Sequence, residues 1–172
     1  MNEYFLVIED YESQYNQMVN IFQEIDGYTN VVDNYQIINN FIKVLEVNQP
    51  KEQLDLVNDI LNTILNEVDG NLTLLCDLHL YGAKSETLKI KQGIDLIRDL
   101  ILPQIVIRFP NNNVRIILCT QYPEESVEPH FERLRQSYIA ETNISFEYIE
   151  KELELSELHE DFIEDLKKTL QL

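Results

Sequence analysis

Glu9, Asp10, Asp77, Thr120 and Lys151 have the types and spacing to do chemistry together. Each stands at or just past the end of an apolar run. Glu9 and Asp10 follow YFLVI, Asp77 follows LTLLC, Thr120 follows VRIILC and Lys151 comes soon after ISFEYI. Carboxylates brought together repel and raise one another's pKa. A hard divalent cation relieves that repulsion, and Mg²⁺ accepts a few carboxylates while keeping several waters. A lysine and a hydroxyl across the cation form a clamp for an incoming oxyanion. The set suits a phosphoryl group, whose transfer mostly needs positioning and charge neutralisation. One carboxylate can act as the acceptor and form an acyl phosphate.

The elements must bring these residues to one place. Tyr4–Ile8 reads as a buried strand. Residues 12–25 carry Tyr15, Met18, Val19, Phe22 and Ile25 at helical spacing, and Asp26-Gly27 ends that helix. Thr29–Val32 reads as a second strand, 35–47 as a helix, and Asn48-Gln49-Pro50 as its break. Lys51–Val68 reads as another helix, with Leu54, Val57, Ile60, Leu61, Ile64 and Leu65 on one face. Leu72–Cys76 is a strand delivering Asp77, and 78–92 is a loop whose Lys84, Lys89 and Lys91 read as solvated. Gly93–Arg108 reads as a helix disturbed at Pro103. Val114–Cys119 is a strand delivering Thr120. Glu124–Ile139 is a polar helix, and Ile144–Ile149 is a strand delivering Glu150 and Lys151. Ser156–Leu170 reads as a closing helix capped by Ser156.

Strands alternating with helices predict an α/β fold, a parallel sheet with helices on both faces. In such a sheet the strands point one way, so the residues past their C-terminal ends converge on one rim. Ligands of open α/β sheets bind at that rim.

Composition narrows the function. The 172 residues suit one domain with a sizeable core. The formal net charge of −18 gives a surface that repels nucleic-acid phosphates, so no nucleic-acid partner is expected. No apolar run approaches a membrane span, and the acidic N-terminus lacks a basic leader region. The expectation is a cytoplasmic protein without a membrane partner. Cys76 and Cys119 both lie inside predicted strands and read as buried thiols. The two are expected on neighbouring strands, but adjacent parallel strands rarely give the geometry a disulfide requires.

Taken in order, these pieces resemble a response regulator receiver domain. VIED resembles the family's acidic pair after its first strand. LLCDLHLYG resembles the strand and loop around the phospho-accepting aspartate. VRIILCTQ resembles the strand ending in a threonine or serine, and FEYIEKEL resembles the last strand and its lysine. QGIDLIRDL resembles the family's glycine-led third helix. The resemblance spans essentially the whole chain. It implies a five-stranded, doubly wound, flavodoxin-like sheet of order 2-1-3-4-5, here with an extra helix between the second and third strands. It implies a single receiver-like domain over 1–172 with no output domain.

The resemblance also implies roles. Asp77 would take the phosphoryl group from a histidine kinase or phosphotransfer protein. Asp10, Asp77 and the backbone carbonyl of His79 would bind Mg²⁺, with Glu9 helping. Lys151 would pair with Asp77 and then with the phosphoryl oxygens. Thr120 would hydrogen-bond the phosphoryl group, and Tyr148 would be the switch aromatic that moves with Thr120. A downstream protein target would bind the face formed by 124–139 and 144–170. The chain departs from the pattern at Tyr81 and Glu152, where prolines are usual. It departs again at Gln121, where a small residue is common and a long side chain narrows access to Asp77. His79 and Tyr122 occupy positions that tune phosphate lifetime in the family.

Two other functions fit parts of this pattern. One is a receiver-like binding module independent of phosphorylation, which Gln121 and the long loops permit. The other is a Mg²⁺-dependent phosphohydrolase resembling the haloacid dehalogenase superfamily. That family wants a second aspartate two residues after the nucleophile, and His79 stands there instead.

Overall fold

The apolar runs become strands because helices cover both of their faces. The computed structural model describes residues 2–9, 11–25, 30–32, 35, 51–78, 93–95, 97–155 and 157–171. Strands β1 (Glu3–Ile8), β3 (Asn71–Asp77), β4 (Val114–Thr120) and β5 (Ile144–Glu150) build a parallel sheet. In it β3 lies between β1 and β4, and β5 flanks β4. A short segment, β2 (Asn30–Val32), runs parallel to the other side of β1.

Side chains alternate across a strand, so parity sorts them between two cores. Leu6, Ile8, Leu74, Cys76, Ile116 and Leu118 face one side. There they pack on α2 (Lys51–Leu65), α3 (Leu102–Arg108) and α4 (Glu124–Ser137) through residues such as Leu61, Ile105 and Phe131. Phe5, Val7, Leu75, Ile117 and Cys119 face the other side. They meet α1 (Glu12–Glu24) and α5 (Glu160–Leu170) through Tyr15, Met18, Phe22, Phe162 and Leu166. The predicted stripe of α1 is buried along its length, from Tyr15 to Ile25. The expected helix over 35–47, beyond Tyr35, and the loop over 79–92 lie outside the described residues.

The helix expected over 93–108 is disturbed at Pro103, as its sequence predicts. Ile97–Ile101 winds as a π-helix before α3 begins, and Pro103 sits in the first turn of α3. Proline has no N–H for the i−4 carbonyl and its ring crowds that turn, so the backbone widens just upstream. The closing helix starts at Glu160, not Ser156. Before it, β6 (Leu153–Glu154) and β7 (Glu157–Leu158) form a small antiparallel hairpin. ELEL alternates acidic and apolar residues, the period of a strand. Leu158 is buried, while Leu155 at the turn is exposed with φ of 50°. His159 caps α5 instead: its Nδ1 accepts the Asp161 N–H at 3.3 Å. Ser156 itself lies outside the described residues.

Register sets what reaches the rim. Ile8 is level with Cys76, Asp77 with Cys119, and Thr120 with Glu150. Glu9, Asp77, Thr120 and Lys151 therefore leave the same end of the sheet. Among the described residues, no helix is long and apolar enough to cross a membrane.

Candidate functional site at the sheet rim

Lys151 is the centre of this rim. Its Nζ donates to Asp77 Oδ2 at 2.8 Å, to Gln14 Oε1 at 2.9 Å and to Glu9 Oε2 at 3.0 Å. An ammonium has three N–H donors, and each has an acceptor here. The cluster is sealed: Glu9 is 1 %, Asp77 2 %, Gln14 4 % and Lys151 3 % exposed. Burial alone would push the Lys151 ammonium towards its neutral form. The charges of Asp77 and Glu9 outweigh that, and the ammonium is held above the ordinary lysine range. The repulsion between these carboxylates is thus relieved by a buried lysine.

The other contacts come from the backbone. The second oxygen of Glu9, Oε1, accepts the Tyr11 N–H at 3.0 Å, which fixes the turn into α1. The Lys151 N–H donates to the Thr120 carbonyl at 2.7 Å, carrying the β4–β5 ladder one residue past β5. The Leu78 N–H donates to the Cys119 carbonyl at 3.0 Å and does the same beyond Asp77. Gly93 presses on this point. A Cβ there would lie 2.8 Å from both the Cα and the carbonyl oxygen of Leu78, so only glycine fits without moving the backbone next to Asp77.

Thr120 is fully buried, and its Oγ1 accepts the Tyr122 N–H at 3.4 Å. The Tyr148 hydroxyl donates to the Tyr122 carbonyl at 2.7 Å. One short turn after β4 therefore touches both the threonine and the aromatic of β5. Partial burial, then the charges of Glu150 and Glu124, push the Tyr148 phenol up to about 12. Gln121 is exposed, and the residue buried in that turn is Tyr122. Asp10 and His79 lie outside the described residues.

The chain matches no family model and no curated protein.

Four of the sequence-predicted residues come to this rim, and Glu9, Asp77 and Lys151 touch. Gln14 was missed. It sits on the α1 stripe that continues through Met18, Ile21 and Ile25 at i+4, i+7 and i+11. A polar residue on an otherwise buried stripe was the available signal. The two cysteines are free and lie in opposite cores, Cys76 with α2–α4 and Cys119 with α1 and α5. Burial, then the charge of Asp77, raises both thiols well above their ordinary value. At the base of the hairpin, ligand atoms of Glu152, His159 and Asp161 lie within 4.8 Å of one another. The Nδ1 of that histidine is taken by the α5 cap.

Proposed function

We propose that the chain is a receiver that accepts a phosphoryl group on Asp77 and signals through a phosphorylation-dependent protein contact. The observation that carries this reading is the buried Lys151 ammonium bridging Asp77 and Glu9 at the strand-end rim, in backbone contact with Thr120. The proposal includes the flavodoxin-like, five-stranded sheet of order 2-1-3-4-5, with β2 at its edge.

In the step proposed, one Asp77 carboxylate oxygen attacks phosphorus. The P–N bond to the donor imidazole breaks, its electron pair leaves with the imidazole, and a mixed anhydride forms on Asp77. With a small acyl phosphate the broken bond is P–O. Nothing is oxidised or reduced. Lys151 already faces the carboxylate that changes, so it needs only to turn towards the arriving oxygens. The Thr120 hydroxyl supplies a donor to them.

The buried carboxylates of Glu9 and Asp77 both accept from Lys151 Nζ, and carboxylate oxygens are the ligands a hard cation takes. Glu9 and Asp77, with Asp10 and the His79 carbonyl, would hold Mg²⁺. Bound there, it neutralises charge on the phosphoryl oxygens. The proposed phosphodonor is a histidine kinase or phosphotransfer protein. The proposed target surface is α4, β5 and α5. The proposed setting is the cytoplasm.

One observation favours a second reading, a binding module of this fold without phosphorylation control. Asp77 is only 2 % exposed. Intact mass after incubation with Mg²⁺ and acetyl phosphate separates the two. The receiver reading expects a phosphoryl adduct that requires Mg²⁺ and vanishes in Asp77→Ala. A folded protein that forms no adduct, from acetyl phosphate or from phosphohistidine proteins, favours the second.

A further inference from the structure

Lys151 receives its three acceptors from three places. Glu9 follows β1, Asp77 ends β3, and Gln14 stands in the first turn of α1, 137 residues away from Lys151 in sequence. Two of these acceptors carry charge and one does not. One turn further along α1, Gln17 Oε1 accepts the Leu158 N–H at 3.0 Å. One face of α1 therefore fastens both the Lys151 side chain and the hairpin that follows it.

From this geometry we infer that Gln14 is a positioning residue for Lys151, aiming its ammonium at Asp77. The inference rests on the phospho-acceptor reading for its purpose, though not for its geometry. A lysine has four rotatable bonds, and ordering them costs entropy. Gln14 meets part of that cost before reaction, which is how orientation speeds a transfer step. Its neutrality matters too. A cation or an arriving phosphoryl group changes the charge on Glu9 and Asp77, and their hold on the ammonium changes with it. A neutral amide oxygen has no net charge to be drawn away. It keeps one N–H in place while the other two turn towards phosphoryl oxygens.

The test uses the full chain with ¹⁵N-labelled lysine, first without Mg²⁺ or phosphodonor. NMR reads how fast the Lys151 ammonium protons exchange with water. Exchange is expected to be slow in the wild type and about tenfold faster in Gln14→Leu, in proportion to losing one hydrogen bond to a charged group. Gln14→Met repeats the deletion with a flexible side chain, in case leucine does not pack. Gln14→Glu keeps an oxygen at the same reach and restores slow exchange. Unchanged exchange in the folded apolar variants overturns the inference. So does fast exchange in Gln14→Glu, because the effect would then be one of packing.

A second arm adds Mg²⁺ and acetyl phosphate. Adduct formation slows about tenfold in Gln14→Leu if aim is what Gln14 provides. An unchanged rate beside a loosened ammonium overturns the link to transfer. A wild type that forms no adduct, while its ammonium still responds to Gln14, removes the receiver reading and leaves the positioning role standing.

Discussion

Lys151 Nζ lies 2.8 Å from Asp77 Oδ2, a contact that closes 74 residues of chain. Both side chains are buried, and Glu9 shares the same ammonium. Removing one partner of a buried pair leaves the others uncompensated, which costs about 3–5 kcal/mol. Lys151→Met is therefore expected to be strongly destabilised at pH 7, read by urea unfolding. Asp77→Asn keeps an acceptor facing the lysine and is expected to lose less. A Lys151→Met protein as stable as the wild type would show that the bridge does not hold the rim.

Gly93→Ala tests the close approach behind Asp77. The new methyl meets the backbone of Leu78 at 2.8 Å, and backbone cannot swing aside as a side chain can. Overpacking of this kind costs about 1–3 kcal/mol. Faster amide exchange is expected at Leu78, whose N–H closes the β3–β4 ladder at the Cys119 carbonyl. Unaltered stability and exchange would mean that the 93–95 turn yields freely.

Tyr148 gives the chain an alkaline dependence. Its phenol is pushed up to about 12 by burial, then by Glu150 and Glu124. In the unfolded chain it titrates near the ordinary value, about 10. Below that value the phenol is protonated in both states, and its contribution is fully present. As pH rises the unfolded state loses the proton first, so stability falls through the window up to about 12. Tyr148→Phe removes this slope and also loses the hydrogen bond to the Tyr122 carbonyl, about 1 kcal/mol at neutral pH. Unfolding free energy measured from pH 8 to 12 for both proteins checks the sign. Parallel curves would contradict it.

Arg115 ties the sheet to the closing helix. From β4 its guanidinium donates to both oxygens of Glu147 on β5 and to the Thr169 carbonyl near the end of α5. Arg115→Ala is expected to cost about 1.5–3 kcal/mol and to fray the last turn of α5. Lysine has no planar fork, so Arg115→Lys recovers little. Amide exchange of the last α5 turn reads the fraying directly, and a full rescue by lysine would refute the forked geometry.

The apolar runs were enough to locate β1, β3, β4 and β5, and with them the rim residues Glu9, Asp77, Thr120 and Lys151. That information is local: a buried strand needs consecutive apolar residues, and its end is where they stop. The hairpin after Lys151 was not legible in the same way. Its strands are two residues each, and the stretch ELELSELH also carries the acidic start of a helix. Packing of Leu158 beneath the Gln17 contact on α1 decided between them. The parity that separates Cys76 from Cys119 depended on the register of β3 against β4, which no single strand encodes. Gln14 depended on tertiary structure most of all. As a lone residue it is a polar position on a helix. It becomes an acceptor for Lys151 only because α1 packs against the sheet, and a buried ammonium must find three oxygens wherever the fold has put them.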